Sequence, residues 1–411
     1  RTKMPSLSLH SGSPSLHEIP MEDPRTFLRE PYASMPTNVL LDYFRERNNP
    51  QYFPLPHGSL EHVERADRIL KNEFNFNNEA HRLPDSFDWK VNPSRDLEWL
   101  ILLHKFYYTR DLAAAYDFTR EERYATKWTQ LVSSWIREVP EGFIDSQVTG
   151  RRLQQWLLAY HYFVPRRRSP TITPPFLVEF IRSVHAQALY LSEHLTPEGN
   201  HRTIELYAIF LVAVVFPELK ESDRLLKFSQ QELLGNMEED LLADGVQREL
   251  STDYHHTVLK NYLHVKELAV LNKIALSPRF DELITRAVEF SIYIHKPDGL
   301  IPAINDADSC SYLSLLKKAY LYYPNAHLLY VISKGKEGTP PPERCKAFSI
   351  SGYYILRGNW TSEPYEDGLY LLFDCGPIGF GSHGHYDLLN IEAAAFGHSL
   401  IVDPGRYTYS E

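Results

Sequence analysis

The sequence predicts an α+β multidomain protein, an N-terminal (α/α) toroid followed by the opening strands of an antiparallel β-domain. Two observations carry this. From about residue 60 to 335 one amphipathic pattern follows another, with apolar residues three and four positions apart. Beyond the stretch SKGKEGTPPPERCKAF the period switches to short alternating or apolar runs bounded by turn residues. The length of 411 residues also exceeds one ordinary compact domain.

Taken in order, residues 1–59 are rich in Pro and Ser and predict an irregular arm with a short helix near TNVLLDYFRER. Residues 60–335 predict the toroid. Among its helices are LEWLILLHKFYYTRDLAAAYDF, PFLVEFIRSVHAQALYLSEHL, RTIELYAIFLVAVVF and HHTVLKNYLHVKELAVLNKI. No strict repeat unit emerges, yet seven or more aromatic-rich helices with short connections suit a toroid. Residues 336–344 form a Gly/Pro/charged linker. Residues 345–411 supply FSISGYYILRGNW, GLYLLFDCG, LLNIEAAAFG and HSLIVDPG as strands, with a hairpin turn at Phe396-Gly397-His398-Ser399. About seventy residues make too few strands for a sandwich with two closed faces, so a β-domain incomplete at Glu411 is expected.

Composition narrows the function. A content of 43% hydrophobic and 13% aromatic residues fills cores and excludes wholesale disorder. A net charge of -10 argues against general nucleic-acid affinity but leaves room for an anionic sugar in a local basic cleft. The run Arg166-Arg167-Arg168, flanked by Pro165 and Pro170, reads as a solvated loop. Cys310, Cys345 and Cys375 lack CxxC spacing and suggest neither a disulfide framework nor a cysteine metal site. No apolar run approaches a membrane span, and no signal peptide is visible after Arg1.

Three places hold side chains suited to chemistry. In TPEGNHRTIELYA, Asn200 and His201 sit where a Pro/Gly loop enters an apolar helix, and on local evidence Asn200 reads first as an N-cap. In QRELSTDYHHTVLKNYL, Tyr254 lies in a helical first turn, where a packing role is also open. In GSHGHYDLL, His383 and His385 alternate and so share one face of an extended segment. Asp403 ends the apolar run SLIV, and adjacent strands would bring it to His385. That pair serves either as zinc ligands or as a metal-free hydrogen-bonded couple.

Together these three places resemble the heparinase II/III-like polysaccharide lyases. The resemblance rests on the C-terminal motif Ser382-His383-Gly384-His385-Tyr386-Asp387, then Gly397, then Asp403-Pro404-Gly405-Arg406-Tyr407-Thr408-Tyr409. It rests also on Asn200-His201 at a helix start and on Tyr254-His255 some fifty residues later. The resemblance implies a toroid joined to a multi-sheet antiparallel β-sandwich. It implies that Asn200 and His201 contact a uronate carboxylate, that Tyr254 is the catalytic acid, and that His383 is the second proton-transfer group. It implies a structural zinc, or another divalent metal, on His385 and Asp403, with a third ligand expected beyond Glu411. His255 joins the expected substrate contacts. Arg152, four residues before Trp156 on one helix face, is a further candidate cleft pair; a routine surface pair is the alternative.

The chemistry implied is β-elimination. Removing the C5 proton of a uronate is hard because the adjacent carboxylate resists further negative charge, so donors must neutralise it. Donors at a helix N-terminus are well placed for that. Tyrosine, with an ordinary pKa near 10, suits protonation of the leaving oxygen, whereas histidine suits proton abstraction near neutrality. The expected substrate is an anionic uronate polysaccharide, most simply of heparin or heparan sulfate type, met in a secreted or periplasmic setting. The expected partner list contains no nucleic acid and no membrane, and includes the missing C-terminal part of the same enzyme. Alginate or oligoalginate lyase, and a non-catalytic glycan-binding protein on the same fold, are the alternatives. A hydrolase would want two flanking carboxylates; Asp306 and Asp308 are the nearest pair but read better as loop or capping residues.

Overall fold

The computed structural model describes residues 25–381 and 383–406. Among them are thirteen α-helices and seven short strands. Residues 25–59, assigned by sequence to an arm, pack into the helical body. Phe27, Leu28, Leu40, Leu41 and Phe44 are all buried in the common core. Helix α1 (Thr37–Glu46) lies in this segment, over the TNVLLDYFRER pattern. Helix α2 (Leu60–Leu70) is followed by a small hairpin, β1 (Glu73–Phe76) with β2 (Glu79–Arg82). Its turn residues Asn77 and Asn78 both have positive φ, a conformation Asn tolerates well.

The run read as one helix from Leu97 is two. Helix α3 (Leu97–Lys105) stops where Phe106 turns left-handed at φ 61, and α4 (Thr109–Thr119) starts a new direction. Helices α5 (Glu122–Glu138), α6 (Ser146–His161) and α7 (Pro174–Glu193) follow. Arg166 and Arg167 do not wave in solvent. Both guanidinium groups bind the buried Asp117 carboxylate, so the arginine run clamps the end of α6 to α4. Only Arg168 is exposed.

Helix α8 (Gly199–Val215) is apolar on all sides and buried from Thr203 to Val215, which makes it the centre of the body. Helices α9 (Ser222–Asp240), α6 and α10 (Thr252–Leu271) pack beside it, and α11 (Pro278–Ile294) packs on α10 and α9. The starts of α6, α8 and α10 lie at one rim of the toroid. Ser146 Oγ at the start of α6 donates to Glu205 Oε1 of α8 at 2.6 Å. Glu249, three residues before α10, accepts from Asn200 N at 3.0 Å. The shorter helices α12 (Leu313–Tyr322) and α13 (Ala326–Ile332) end the body.

The second unit is one antiparallel sheet in sequential order, β3 (Cys345–Phe348), β4 (Tyr353–Arg357), β5 (Tyr370–Asp374), β6 (Asn390–Ala395) and β7 (His398–Ile401). The FSISGYYILRGNW pattern covers a hairpin, not one strand. The β6–β7 turn is the pair Phe396-Gly397, at φ 53 and 77, with His398 and Ser399 already in β7. The sheet packs on α11 and on the loop that follows it. Tyr353 stacks on Phe290 at 5.8 Å, Tyr370 Oη donates to Ile294 O at 3.0 Å, and Arg357 donates to His295 O. The buried pair Lys296–Glu392, 3.6 Å apart, crosses the same junction. The β-unit is therefore fixed against the rim that holds the helix starts.

Candidate active site

At that rim Asn200 does not cap its helix; Glu198 occupies the N-cap position. Instead the carboxylate of Glu249 serves the helix start, accepting from Asn200 N at 3.0 Å and from Asn200 Nδ2 at 3.0 and 2.8 Å. A carboxylate is favoured there by the orphan N–H groups and the helix dipole. Gly199 makes this approach possible. Its φ is +82, and a Cβ would stand 2.8 Å from Glu249 Oε1. The two Glu249 oxygens subtend a narrower angle at Nδ2 than its two N–H bonds do. One hydrogen therefore serves Glu249 and the other is left for a ligand.

Glu249 is itself braced. Its N–H donates to Gln247 Oε1 at 3.1 Å, and Gln247 Nε2 donates to Asp240 Oδ1 at 3.0 Å. Asp240 is fully buried, and burial first, then the Glu249 carboxylate, pushes its carboxyl up to about 7. His201, next to Asn200, is held below its ordinary value by burial, against the opposing pull of Asp145 and Glu249, so its imidazole is neutral at pH 7.

Tyr254 stands in the first turn of α10, and the imidazole of His383 stacks on its ring with centroids 3.9 Å apart and 23° between planes. His383 Nδ1 lies 2.9 Å from Asp306 Oδ2, and His383 Nε2 is 3.8 Å from Glu249 Oε2. His383 thus links the β-unit to both Tyr254 and the Asn200–Glu249 pair. His385 Nε2 lies 2.9 Å from the other Asp306 oxygen. Its backbone N–H donates to Asn305 Oδ1 at 2.7 Å.

The second cluster contains His385, Asp387 and Asp403, whose ligand atoms all lie within 4.8 Å of one another. The third ligand expected beyond Glu411 thus has a candidate within the chain, Asp387. One imidazole and two carboxylates are an ordinary donor set for a divalent cation. The charge balance also fits one. Burial raises the Asp403 carboxyl, and Asp387 raises it further. Asp374, close enough to feel both, is pushed up to about 6, again mainly by burial. Among the described residues the Asn390 amide donates to both carboxylates, at 3.1 Å from Asp387 Oδ2 and also to Asp403 Oδ2.

Three expected cleft residues are not there. Arg152 is completely buried, stacked 3.8 Å over Trp135, with Nε donating to Gln187 Oε1 at 2.8 Å and an Nη donating to Thr149 Oγ1 at 3.0 Å. Burial lowers its guanidinium to about 9. Trp156, also fully buried, meets Trp135 edge-on at 5.5 Å. His255 is 1% exposed, its Nδ1 accepting from Gln247 N at 3.2 Å and its Nε2 lying 3.1 Å from Ala287 O. Burial holds His255 near 4. All three support the interhelical core behind the rim and offer no surface to a sugar.

Glu249, Asn305 and Asp306 were not legible as site residues. Glu249 gives no motif, and Asp306 reads as a loop aspartate until His383 and His385 are seen against it. The alternation of His383 and His385 was the available signal. Two imidazoles on one face invite a shared acceptor.

The fold and site define a toroid-and-sheet protein whose centre is assembled from both units. Residues 20–330 match the family model described as heparinase II/III N-terminus, and residues 340–411 that described as heparinase II/III-like, C-terminal. The chain belongs to the heparinase II/III-like family. It is 28% identical over 369 residues to a heparin-sulfate lyase of Pedobacter heparinus, covering 84% of this chain and 54% of that protein. It is 26% identical over 413 residues to a heparin-sulfate lyase of Bacteroides stercoris, covering 90% and 60%. A solved structure of heparinase III superposes with a TM-score of 0.81 at 22% identity, covering 91% of this chain and 63% of that one. The structure of heparan sulfate lyase HepC from Pedobacter heparinus gives 0.69 at 26% identity, with 91% and 62% covered. The chain spans between about half and two thirds of the length of these relatives.

Proposed function

We propose that this chain carries the catalytic centre of a polysaccharide lyase that cleaves a uronate polymer, of heparin or heparan sulfate type, by β-elimination. The observation that carries the reading is the His383–Tyr254 stack beside Asn200 and His201. The stack joins an imidazole from the loop between β5 and β6 to a phenol from the toroid, and in this reading a uronate held by Asn200 and His201 would reach both. The relatives, both heparin-sulfate lyases, support the same substrate class.

In this account the uronate carboxylate meets the spare Asn200 Nδ2–H and the neutral His201 ring at the start of α8, where the helix dipole favours negative charge. His383 Nε2 takes the C5 proton. The electron pair of that C–H bond becomes the C4–C5 double bond, and the C4–O bond breaks. The leaving oxygen takes the Tyr254 phenolic proton. The stacked imidazolium then lies beside the resulting phenolate, so the proton can return and both groups are restored. For the C5 epimer, whose proton lies on the opposite sugar face, the roles exchange after the Tyr254 phenolic proton has passed to His383: the phenolate takes the C5 proton and the imidazolium protonates the leaving oxygen. A divalent cation on His385, Asp387 and Asp403 would supply a clamp for the 383–387 segment, with zinc the first candidate. Such polymers place the protein in a secreted or periplasmic setting.

The test is ultraviolet absorbance of unsaturated uronate during incubation with heparan sulfate, heparin, chondroitin sulfate, hyaluronan and alginate. A rise with heparan sulfate or heparin is expected. A rise with alginate alone would overturn the substrate class, and no rise with any polymer would favour a glycan-binding protein.

A further inference from the structure

One carboxylate at the rim serves two imidazoles. The loop after α11 and the segment 383–385 are joined by one backbone hydrogen bond and one from backbone to side chain. Asp306 N donates to His383 O at 3.0 Å and His385 N donates to Asn305 Oδ1 at 2.7 Å. Asn305 Nδ2 in turn donates to Leu250 O at 2.8 Å, which fixes the loop to the chain just before Tyr254. In this register the buried Asp306 carboxylate lies between the rings, Oδ2 2.9 Å from His383 Nδ1 and Oδ1 2.9 Å from His385 Nε2.

A carboxylate only accepts, so each ring nitrogen that faces it carries the hydrogen. A neutral imidazole has one N–H, and the opposite nitrogen is then a lone pair. For His383 the choice is contested. Glu249 Oε2 lies 3.8 Å from its Nε2 and would draw the hydrogen there. The 2.9 Å contact to Asp306 is a full hydrogen bond, whereas 3.8 Å is beyond hydrogen-bond range, so Asp306 prevails.

We infer that Asp306 is a positioning residue that sets both tautomers at once. It holds His383 as the Nδ1–H form, with the lone pair on Nε2, and His385 as the Nε2–H form, with the lone pair on Nδ1, the form in which that nitrogen can bind a divalent cation. What His383 then does rests on the lyase reading; the tautomers do not. One carboxylate thereby couples the cation cluster to the proton-transfer centre.

The test is long-range nitrogen–proton NMR on the isotope-labelled full chain, with Asp306→Asn beside the parent. In the parent, His383 shows the Nδ1–H form and His385 the Nε2–H form. An amide has one accepting oxygen, so in Asp306→Asn one of the two rings exchanges its tautomer. If His383 exchanges, kcat falls on the order of 100-fold while KM stays within about twofold. If His385 exchanges, bound zinc falls by a similar factor on titration with zinc chloride. A parent His383 in the Nε2–H form overturns the inference without any variant. So does a folded variant with both tautomers, kcat and zinc content unchanged. Parent tautomers as stated, with no cleavage of any uronate polymer, would sink the lyase reading and leave the positioning role standing.

Discussion

The imidazole of His383 lies face to face with the phenol of Tyr254, 3.9 Å between centroids, although the two residues are supplied by different structural units. If Tyr254 protonates the leaving oxygen, Tyr254→Phe keeps the stack and loses only the hydroxyl. Its product absorbance rate should fall by about 100- to 10,000-fold with the melting temperature nearly unchanged. A folded, active Phe variant would remove Tyr254 from the mechanism.

Removing a divalent cation should loosen the sheet. Asp374, Asp387 and Asp403 converge with little compensating charge, so cation binding relieves repulsion in the folded state alone. At a hundredfold excess over its dissociation constant, a ligand stabilises by about 2.7 kcal/mol. Chelation should lower the melting temperature of the parent and leave His385→Ala unmoved. Equal shifts in both proteins would place the cation elsewhere.

Gly199 is predicted to resist substitution. At φ +82, Ala costs roughly 1–2 kcal/mol in backbone strain alone, and its methyl would press on Glu249 Oε1. Gly199→Ala should therefore lower both stability and kcat by displacing Glu249 from Asn200. Denaturant melts and initial rates, taken together, check this; a variant as stable as the parent would show that the helix start can relax.

Stability should decline as pH rises from about 4 to about 7 through Asp240. Its carboxyl is raised in the folded state to about 7, so the folded chain holds a proton that the unfolded chain releases near 4. The contribution is full below about 4 and lost as pH passes about 7, on the order of a few kcal/mol. Asp240→Asn should flatten that part of the pH–stability profile. An unchanged profile would assign the proton to another group.

Periodicity revealed the helices because α8, α10 and α11 each bury a continuous apolar face. It revealed the strands because β4 and β5 alternate between buried positions and half-buried or exposed ones. It missed the α3–α4 break, since Phe106 takes a left-handed turn that an aromatic residue does not announce. Motif spacing singled out Asn200, His201, Tyr254, His383, His385 and Asp403, which the fold gathers near one rim. It misplaced Arg152, Trp156 and His255, because an i,i+4 pattern and a neighbouring position say nothing about which helix covers them. Burial decides that, and Trp135 and Ala287 do the covering. Glu249 and Asp306 act across 49 and 77 residues of chain, distances over which local sequence carries no signal.

Mass spectrometry of heparan sulfate fragments made by the protein in oxygen-labelled water tests the central claim most directly. Elimination predicts new non-reducing ends one water lighter than the hydrolytic product and free of solvent oxygen label. Fragments that carry one labelled oxygen per cleavage would mean hydrolysis, and would contradict the roles assigned to Tyr254 and His383.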